Sequence, residues 1–340
     1  MSGGKRPRLL SIIGTRPQYI KVKPISQYCE DNRIEHKIID TRQHYSYNVS
    51  GSLIKDLNLK IDRHLDVKNS NEISFIAESS KALFEIINKE SPNAVIVYGD
   101  TNSTFSAALA AYKADVPIAH VEAGERCFDT SVPEEVNRIF VDTASSLNFC
   151  SSKRALLNLK NGHYCGDLEY ELLGILDPDI FFKDFGVMTI HRNENTSKQS
   201  LIKIFDFCKA LPYDVRFFAH HRIRPYIDSV PGNVKILEPC SYSDMVKNMA
   251  ECKFIITDSG GIQKTSAFFG KKTIVMRGGS EWKEVEQAGY ARLYGDCKDD
   301  AKWLEERAPN RDKRFYLPPL QEGNPSGMIL SEILRRYSDV

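Results

Sequence analysis

Two hydropathy periods alternate along this chain. Short β-branched runs read as buried strands: RLLSIIG, EHKIID, NAVIVYG, VPIAHV and LNFCS in the first half, then VMTIH, VRFFAH, VKIL, CKFIITD and KTIVMR. Amphipathic stretches lie between them. One example is Glu72 to Lys89, EISFIAESSKALFEIINK, whose apolar residues recur at three and four spacing and predict a helix. Strand and helix alternating in this way predict parallel sheets covered on both faces, hence a doubly wound α/β architecture. The strand series occurs twice. Its break falls at about Leu172 to Gly186, LLGILDPDIFFKDFG, where Pro, Asp and Gly gather. The expected organisation is two Rossmann-like lobes, 1–174 and 175–322. A last helix in SGMILSEILRR, within 323–340, is expected to pack back toward the first lobe. The ligand is expected in the interlobe cleft, outside the carboxyl ends of the strands.

Composition removes several functions. The chain has 340 residues, enough for two cores of ordinary size. With 46 basic against 45 acidic residues the net charge is +1. That gives no overall field for nucleic acid or an anionic membrane, so any anionic ligand must be held by local groups. No apolar stretch approaches the roughly 20 residues that span a bilayer, and MSGGKRPR is not followed by a signal-peptide pattern. A cytoplasmic location is the expectation. The eight cysteines are scattered without a CxxC pair, which points to core thiols rather than zinc ligands or a disulfide framework.

The unusual residues collect where strands end. GTRPQYIK, GDTNST, VEAGERC, HRNEN, HHRIR, DSGGIQK and RGGSEW each follow one of the apolar runs. Sites in doubly wound folds are assembled from such ends. DSGGIQK, Asp258 to Lys264, opens a helix with Ser259, Gly260 and Gly261, whose bare amides can approach an anion; the plainer account is a glycine turn with a serine cap. GTRPQYIK offers Arg16 and Lys21 beside a glycine turn, with Pro17 at the favoured first helical position. His191, Arg192, His220 and Arg222 arrive at neighbouring strand ends and suit a diphosphate.

The acids need a separate account. HVEAGERCFDTSVPEEVNRIF places Glu122, Glu125, Asp129, Glu134 and Glu135 just after VPIA. A helix start explains acids after Pro133, where the dipole favours negative charge, but not Glu122. Asp100 and Glu122 end consecutive strands, and Glu134 begins the next helix. Three carboxylates on one cleft would repel and raise one another's pKa, a cost that proton transfer would justify. A hard cation is the rival explanation, but the basic residues already suit phosphate, so no metal is expected.

Taken in order and spacing, GTRPQYIK, VYGDTNST, VEAGERCFDTSVPEEVNR, IHRNEN, TDSGGIQK and RGGSEWKE closely resemble the UDP-N-acetylglucosamine 2-epimerase family, from about Leu9 to Tyr294. The resemblance implies a two-lobed, GT-B-like fold, usually homodimeric, and inversion at C2 of a UDP-N-acetylhexosamine by eliminating UDP and adding it back. It assigns catalysis to Asp100, Glu122, Glu134 and His191. It assigns the UDP to Arg16, Lys21, His220, Ser259, Gly260, Gly261, Arg277 and Glu281, with Glu281 on the ribose hydroxyls. No cofactor is implied, and Glu125, Asp129 and Glu135 are left as solvated or capping residues.

The chain also departs from the family's pattern. Many members read GTRPE, GLR and GGIQEE; here stand Gln18, Glu125 and Lys264 with Thr265. SEWKE replaces the common TERPE, and Trp282 there resembles the branch acting on 6-deoxy, uronic or diacetamido UDP-sugars. RQHYSYNVSG matches only the start of the glutamine-rich segment of substrate-activated bacterial members. The alternatives are a hydrolysing epimerase that releases UDP and the free 2-epimer, a GT-B glycosyltransferase, and a nucleotide-sugar-binding regulator, which would leave the three acids unexplained.

Overall fold

All ten apolar runs form strands, and three short strands complete the sheets. The computed structural model describes residues 7–43, 50–67, 71–219, 223, 230–280, 282–295, 297–306, 308 and 324–337. The chain divides into one unit of Met1–Ile175 with Pro319–Val340 and a second of Leu176–Pro318.

The first unit holds β1 (Arg8–Ile13), β2 (Glu35–Asp40), β3 (Arg63–His64), β4 (Ala94–Tyr98), β5 (Ile118–Val121), β6 (Leu147–Cys150) and β7 (Gly162–Tyr164). They form one parallel sheet in the order β3-β2-β1-β4-β5-β6-β7. AVIVY in β4 is buried at every position, as a strand covered on both faces must be. Helix Glu72–Glu90 begins at Asn71, whose side chain accepts the Ser74 amide. Its buried Phe75, Leu83, Ile86 and Ile87 pack toward helix Asn102–Lys113, where Ala107, Ala108, Ala110 and Ala111 permit close approach. Helix Pro325–Tyr337 belongs to this unit. It packs on helix Arg16–Asp31, and its Ser326 amide and hydroxyl donate to Glu171 at 2.8 and 2.5 Å.

The second unit holds β8 (Phe185–Thr189), β9 (Asp214–Phe218), β10 (Val234–Leu237), β11 (Phe254–Thr257), β12 (Lys272–Val275) and β13 (Ala291–Leu293). This sheet is also parallel, in the order β10-β9-β8-β11-β12-β13. Its core gathers Met188, Leu201, Phe205, Phe217, Phe254 and Ile274. In each sheet the strand order reverses once, between β1 and β4 and between β8 and β11. Crevices at such reversals are where doubly wound folds hold ligands.

The sequence missed β3, β7 and β13, all at sheet edges. They have three residues or fewer and none is fully buried, so no apolar run marks them. The cysteines also depart in part from the core expectation, because Cys127 is exposed while Cys29, Cys150, Cys165, Cys208 and Cys252 are buried. Among the described residues no helix is long and apolar enough to cross a membrane.

Candidate active site

In the first unit the site starts at the turn after β1. A Cβ on Gly14 would lie 2.0 Å from Thr41 Oγ1 and 2.3 Å from Ser103 Oγ, so only glycine lets these loops approach so closely. Thr15 caps helix Arg16–Asp31, and the Gln18 carbonyl oxygen accepts the Gly14 and Thr15 amides at 2.8 and 3.1 Å. The Gln18 amide donates to the Tyr98 carbonyl at 2.7 Å and to Thr104 at 2.9 Å, tying this turn to the end of β4. Because the helix begins at Arg16, Pro17 is its second residue rather than its first, still within the turn that needs no amide donor. Arg16 is exposed. Lys21 is half-buried, and its ammonium pairs with Glu122.

Asp100 and Glu122 leave adjacent strands, β4 and β5. The Glu122 Oε2 atom lies 3.5 Å from where a Cβ on Gly99 would stand, so its carboxylate sits over the turn that carries Asp100. Each acid faces a cation. Arg138 Nε and Nη2 donate to Asp100 Oδ2 at 2.9 and 2.5 Å, and Lys21 pairs with Glu122. The like-charge repulsion expected from the sequence is therefore offset by paired charges. Glu134 lies exposed in the first turn of helix Pro133–Ala144. Its neighbour Glu135 is not solvated. It is buried and accepts the Cys127 and Phe128 amides at 3.0 and 3.1 Å and Arg138 Nη1 at 2.9 Å. Burial works to raise its pKa, but those donors hold it below the usual carboxylate value. Asp129 closes a local turn with Ser131, and Glu125 accepts from Ser152 at 3.2 Å.

The segment after β5 is bent by left-handed residues: Glu122 at φ 63° and Gly124 at φ 80°. A non-glycine residue in that region costs about 1–2 kcal/mol, so other bonds must hold it. Asp142 supplies them. It accepts the Gly124 amide at 3.1 Å, Arg126 Nη2 at 2.6 Å and His120 Nδ1 at 2.7 Å. Burial pushes its carboxyl up, but the His120 and Arg126 contacts hold it below the usual range. The other His120 nitrogen, Nε2, donates to the Gly99 carbonyl at 2.8 Å.

In the second unit His191 follows β8 and Asp258 follows β11, on neighbouring parallel strands. Asp258 is fully buried. It accepts His191 Nδ1 at 2.9 Å, the Arg192 amide at 2.9 Å and Asn195 Nδ2 at 3.1 Å. Burial alone would raise this carboxyl, and those donors hold it below the usual value. With Nδ1 fixed on Asp258, the half-exposed His191 ring has Nε2 as its other nitrogen. Ser259 caps helix Gly260–Phe268 and Gly261 is exposed, with Ser259 Oγ at 3.9 Å the only atom among the described residues near its missing Cβ. The serine cap of the plainer account is present, and the exposed Gly261 leaves room beside the positive helix end. Arg277, half-buried, follows β12. Two departures from the family pattern meet, with the Lys264 ammonium 4.9 Å from the centre of the Trp282 ring. His220, Glu281 and most of RQHYSYNVSG lie outside the described residues. Among the described residues no group of three His, Cys, Asp or Glu side chains is arranged to hold a metal.

Arg138, His120, Asp142 and Gln18, and the grip of Asp258 on His191, escaped the sequence reading. The bonds of Arg138 to Asp100, of His120 to Asp142 and Gly99, of Gln18 to Tyr98 and of Asp258 to His191 span at least 21 positions; those of Asp142 to Gly124 and Arg126, of Arg138 to Glu135 and of Gln18 to Gly14 and Thr15 are shorter. The only local signal was the EEVNR spacing, which sets Glu135 and Arg138 on one helical face.

Two doubly wound parallel lobes with polar clusters at both strand-order reversals define a nucleotide-sugar enzyme of GT-B-like fold. The chain belongs to the UDP-N-acetylglucosamine 2-epimerase family, whose sequence model matches residues 27–313. It is 34% identical, over 96% of its own length and 99% of the relative's, to the UDP-N-acetylglucosamine 2-epimerase homolog of Methanococcus maripaludis. It is 33% identical to the UDP-2,3-diacetamido-2,3-dideoxy-D-glucuronate 2-epimerase of Pseudomonas aeruginosa, over 86% of this chain and 89% of that one. The crystal structure of the Methanocaldococcus jannaschii UDP-GlcNAc 2-epimerase in complex with UDP-GlcNAc and UDP superposes with a TM-score of 0.79 at 27% identity, covering 96% of this chain and 99% of that one.

Proposed function

We propose that this chain is a non-hydrolysing UDP-N-acetylhexosamine 2-epimerase, acting on UDP-N-acetylglucosamine or a 6-deoxy, uronic or diacetamido relative. The observation that carries it is the pair of cation-held carboxylates, Asp100 and Glu122, on adjacent strand ends, with Glu134 opening the following helix. The lobe over 1–174 then serves the sugar and the lobe over 175–322 the nucleotide, with 323–340 closing on the first. Kinship to the diacetamido-glucuronate epimerase and the Lys264–Trp282 contact support the modified sugars.

The C2 hydrogen of an N-acetylhexosamine has no neighbouring carbonyl to acidify it. When the C1–oxygen bond breaks, UDP leaves with the bonding pair and positive charge develops at C1. A carboxylate then takes the C2 proton, and a glycal results. Return of a proton to the opposite face of C2 and attack of a UDP oxygen at C1 complete the inversion, with no net change in atoms or electrons. Asp100, Glu122 and Glu134 share the proton transfers. Arg16, Lys21, His220, Ser259, Gly260, Gly261, Arg277 and Glu281 hold the UDP, and cations and helix-end amides stabilise its leaving charge. His191, its Nδ1 on Asp258, presents Nε2 beside the diphosphate turn. A cytoplasmic homodimer without metal or cofactor completes the proposal.

The test is turnover in deuterium oxide with a panel of UDP-N-acetylhexosamines, followed by proton NMR. Deuterium at C2 of the epimer, with free UDP staying low, is the expected result. Epimer that keeps its hydrogen would overturn the mechanism, and free UDP rising with turnover would select hydrolysis.

A further inference from the structure

His120 lies in β5, fully buried, one residue from Val121 and two from Glu122. Its ring meets two acceptors. Nδ1 is 2.7 Å from Asp142 Oδ1, and Nε2 is 2.8 Å from the Gly99 carbonyl oxygen. A carbonyl only accepts, and so does an ionised carboxylate already bound by Arg126 and the Gly124 amide. Both ring nitrogens must therefore donate, and the ring carries two hydrogens.

The partners of His120 matter more than its charge. Gly99 is held at both its polar groups by β5: its amide donates to the Val121 carbonyl at 2.9 Å, and its carbonyl accepts His120. Asp100 is the next residue. On the other side, Asp142 anchors Gly124 and Arg126, which keep Glu122 in its left-handed conformation. One ring thus joins the turn that carries Asp100 to the turn that carries Glu122.

We propose that His120 is a positioning residue: held as an imidazolium between the Asp142 carboxylate and the Gly99 carbonyl, it locks the turns of Asp100 and Glu122 to one another. The groups that face this ring agree with the proposal. Helix Pro133–Ala144 brings Asp142, the loop between β5 and that helix brings Arg126, and β6 brings Asn148, paired across from His120, the Asn148 side-chain amide donating to the Asp142 carbonyl at 3.0 Å. The Cys150 thiol at the end of β6, pushed up to about 12 chiefly by burial, adds no charge. Asp142 meets the ring with Oδ1 and Arg126 with Oδ2. A neutral ring would leave either the carbonyl or the carboxylate facing a lone pair. The roles of Asp100 and Glu122 rest on the epimerase reading; the geometry of the lock does not.

The experiment uses the full chain with nitrogen-labelled histidine. The His120 ring signals, assigned through bonds from the backbone of the wild type, are expected to show hydrogen on both nitrogens. Amide exchange at Gly124, slow in the wild type, should accelerate in His120→Gln. Epimerisation by that variant should show kcat lowered about 10²-fold, the cost of misplacing reacting groups by about 1 Å, with KM and UDP affinity near wild type. A purely structural role would move UDP affinity and thermal stability together and leave kcat per folded molecule unchanged, and that result overturns the proposal. A ring with one hydrogen also overturns it, and this can be read on the wild type even if the variant does not fold. If the wild type epimerises none of the UDP-sugars, the epimerase reading fails by itself. The ring protons and the Gly124 exchange then decide the lock, and unchanged exchange overturns it.

Discussion

Arg138 grips one oxygen of Asp100 with two nitrogens, Nε at 2.9 Å and Nη2 at 2.5 Å, while its third nitrogen reaches the buried Glu135 at 2.9 Å. A single guanidinium therefore sets one acid proposed for proton transfer and one acid that holds the loop. Replacing Arg138 by Met should lower kcat by roughly 10- to 10²-fold through misplacement of Asp100. It should also destabilise the fold by about 1–3 kcal/mol, because Glu135 loses a donor. Lysine at this position should restore little of the activity, since one ammonium cannot reproduce the fork. Steady-state kinetics and urea midpoints of the two variants test this, and full rescue by lysine would contradict it.

Glu134 stands exposed on the first turn of its helix, so its removal disturbs no buried bond. A Glu134→Gln enzyme should keep the wild-type melting temperature and UDP affinity. Its epimerisation rate should be lower by about 10²- to 10⁴-fold, the usual share of general acid–base catalysis. A normal rate would remove Glu134 from the proton-transfer set.

Among the described residues a Cβ on Gly261 would meet only Ser259 Oγ, at 3.9 Å. A Gly261→Val change should fold normally yet weaken UDP binding by about 1–3 kcal/mol, the cost of a lost buried hydrogen bond to phosphate. Calorimetry giving unchanged UDP affinity would take this turn out of the site.

Gln18 accepts with its oxygen and donates with its nitrogen to the Tyr98 carbonyl. A Gln18→Glu carboxylate would turn a lone pair toward that carbonyl, at a cost of about 1–3 kcal/mol. A carboxyl disfavoured as an anion has its pKa raised in the folded state. The loss should then be full above that raised value and shrink as pH falls toward the unfolded carboxylate range. Melting temperatures at acid and neutral pH measure the difference, and a loss that does not depend on pH would refute it.

His36, sunk beside β1 with Nε2 2.7 Å from Ser11 Oγ, has its pKa lowered by burial from 6.5 to about 4. The unfolded chain takes up this proton below 6.5 and the folded chain only near 4. Stability is therefore full above 6.5 and is lost as pH falls from 6.5 toward 4. The whole shift corresponds to about 3 kcal/mol, an upper limit because the residue is only half-buried. His36→Gln should flatten this part of the stability curve in urea titrations between neutral pH and pH near 4. A curve parallel to wild type would exclude His36 as its source.

The sequence by itself determined the two parallel sheets and the ends on which chemistry gathers. Burial on both faces demands continuous apolar strands, and a polar or glycine-rich turn must follow each of them, so both features are written locally in runs such as NAVIVYGD and CKFIITDSGG. The edge strands β3, β7 and β13 escaped because two or three mostly exposed or half-exposed residues carry no such signature. The motifs could name Asp100, Glu122 and His191, but not the groups that hold them. Arg138 on Asp100, Lys21 on Glu122, Asp258 on His191, and His120 bonded to both Asp142 and Gly99 are pairings across 21 to 101 positions of sequence. Local spacing cannot encode such pairs. They exist only once parallel strands bring distant turns to one sheet edge, where a buried charge must find its partner or not be buried at all.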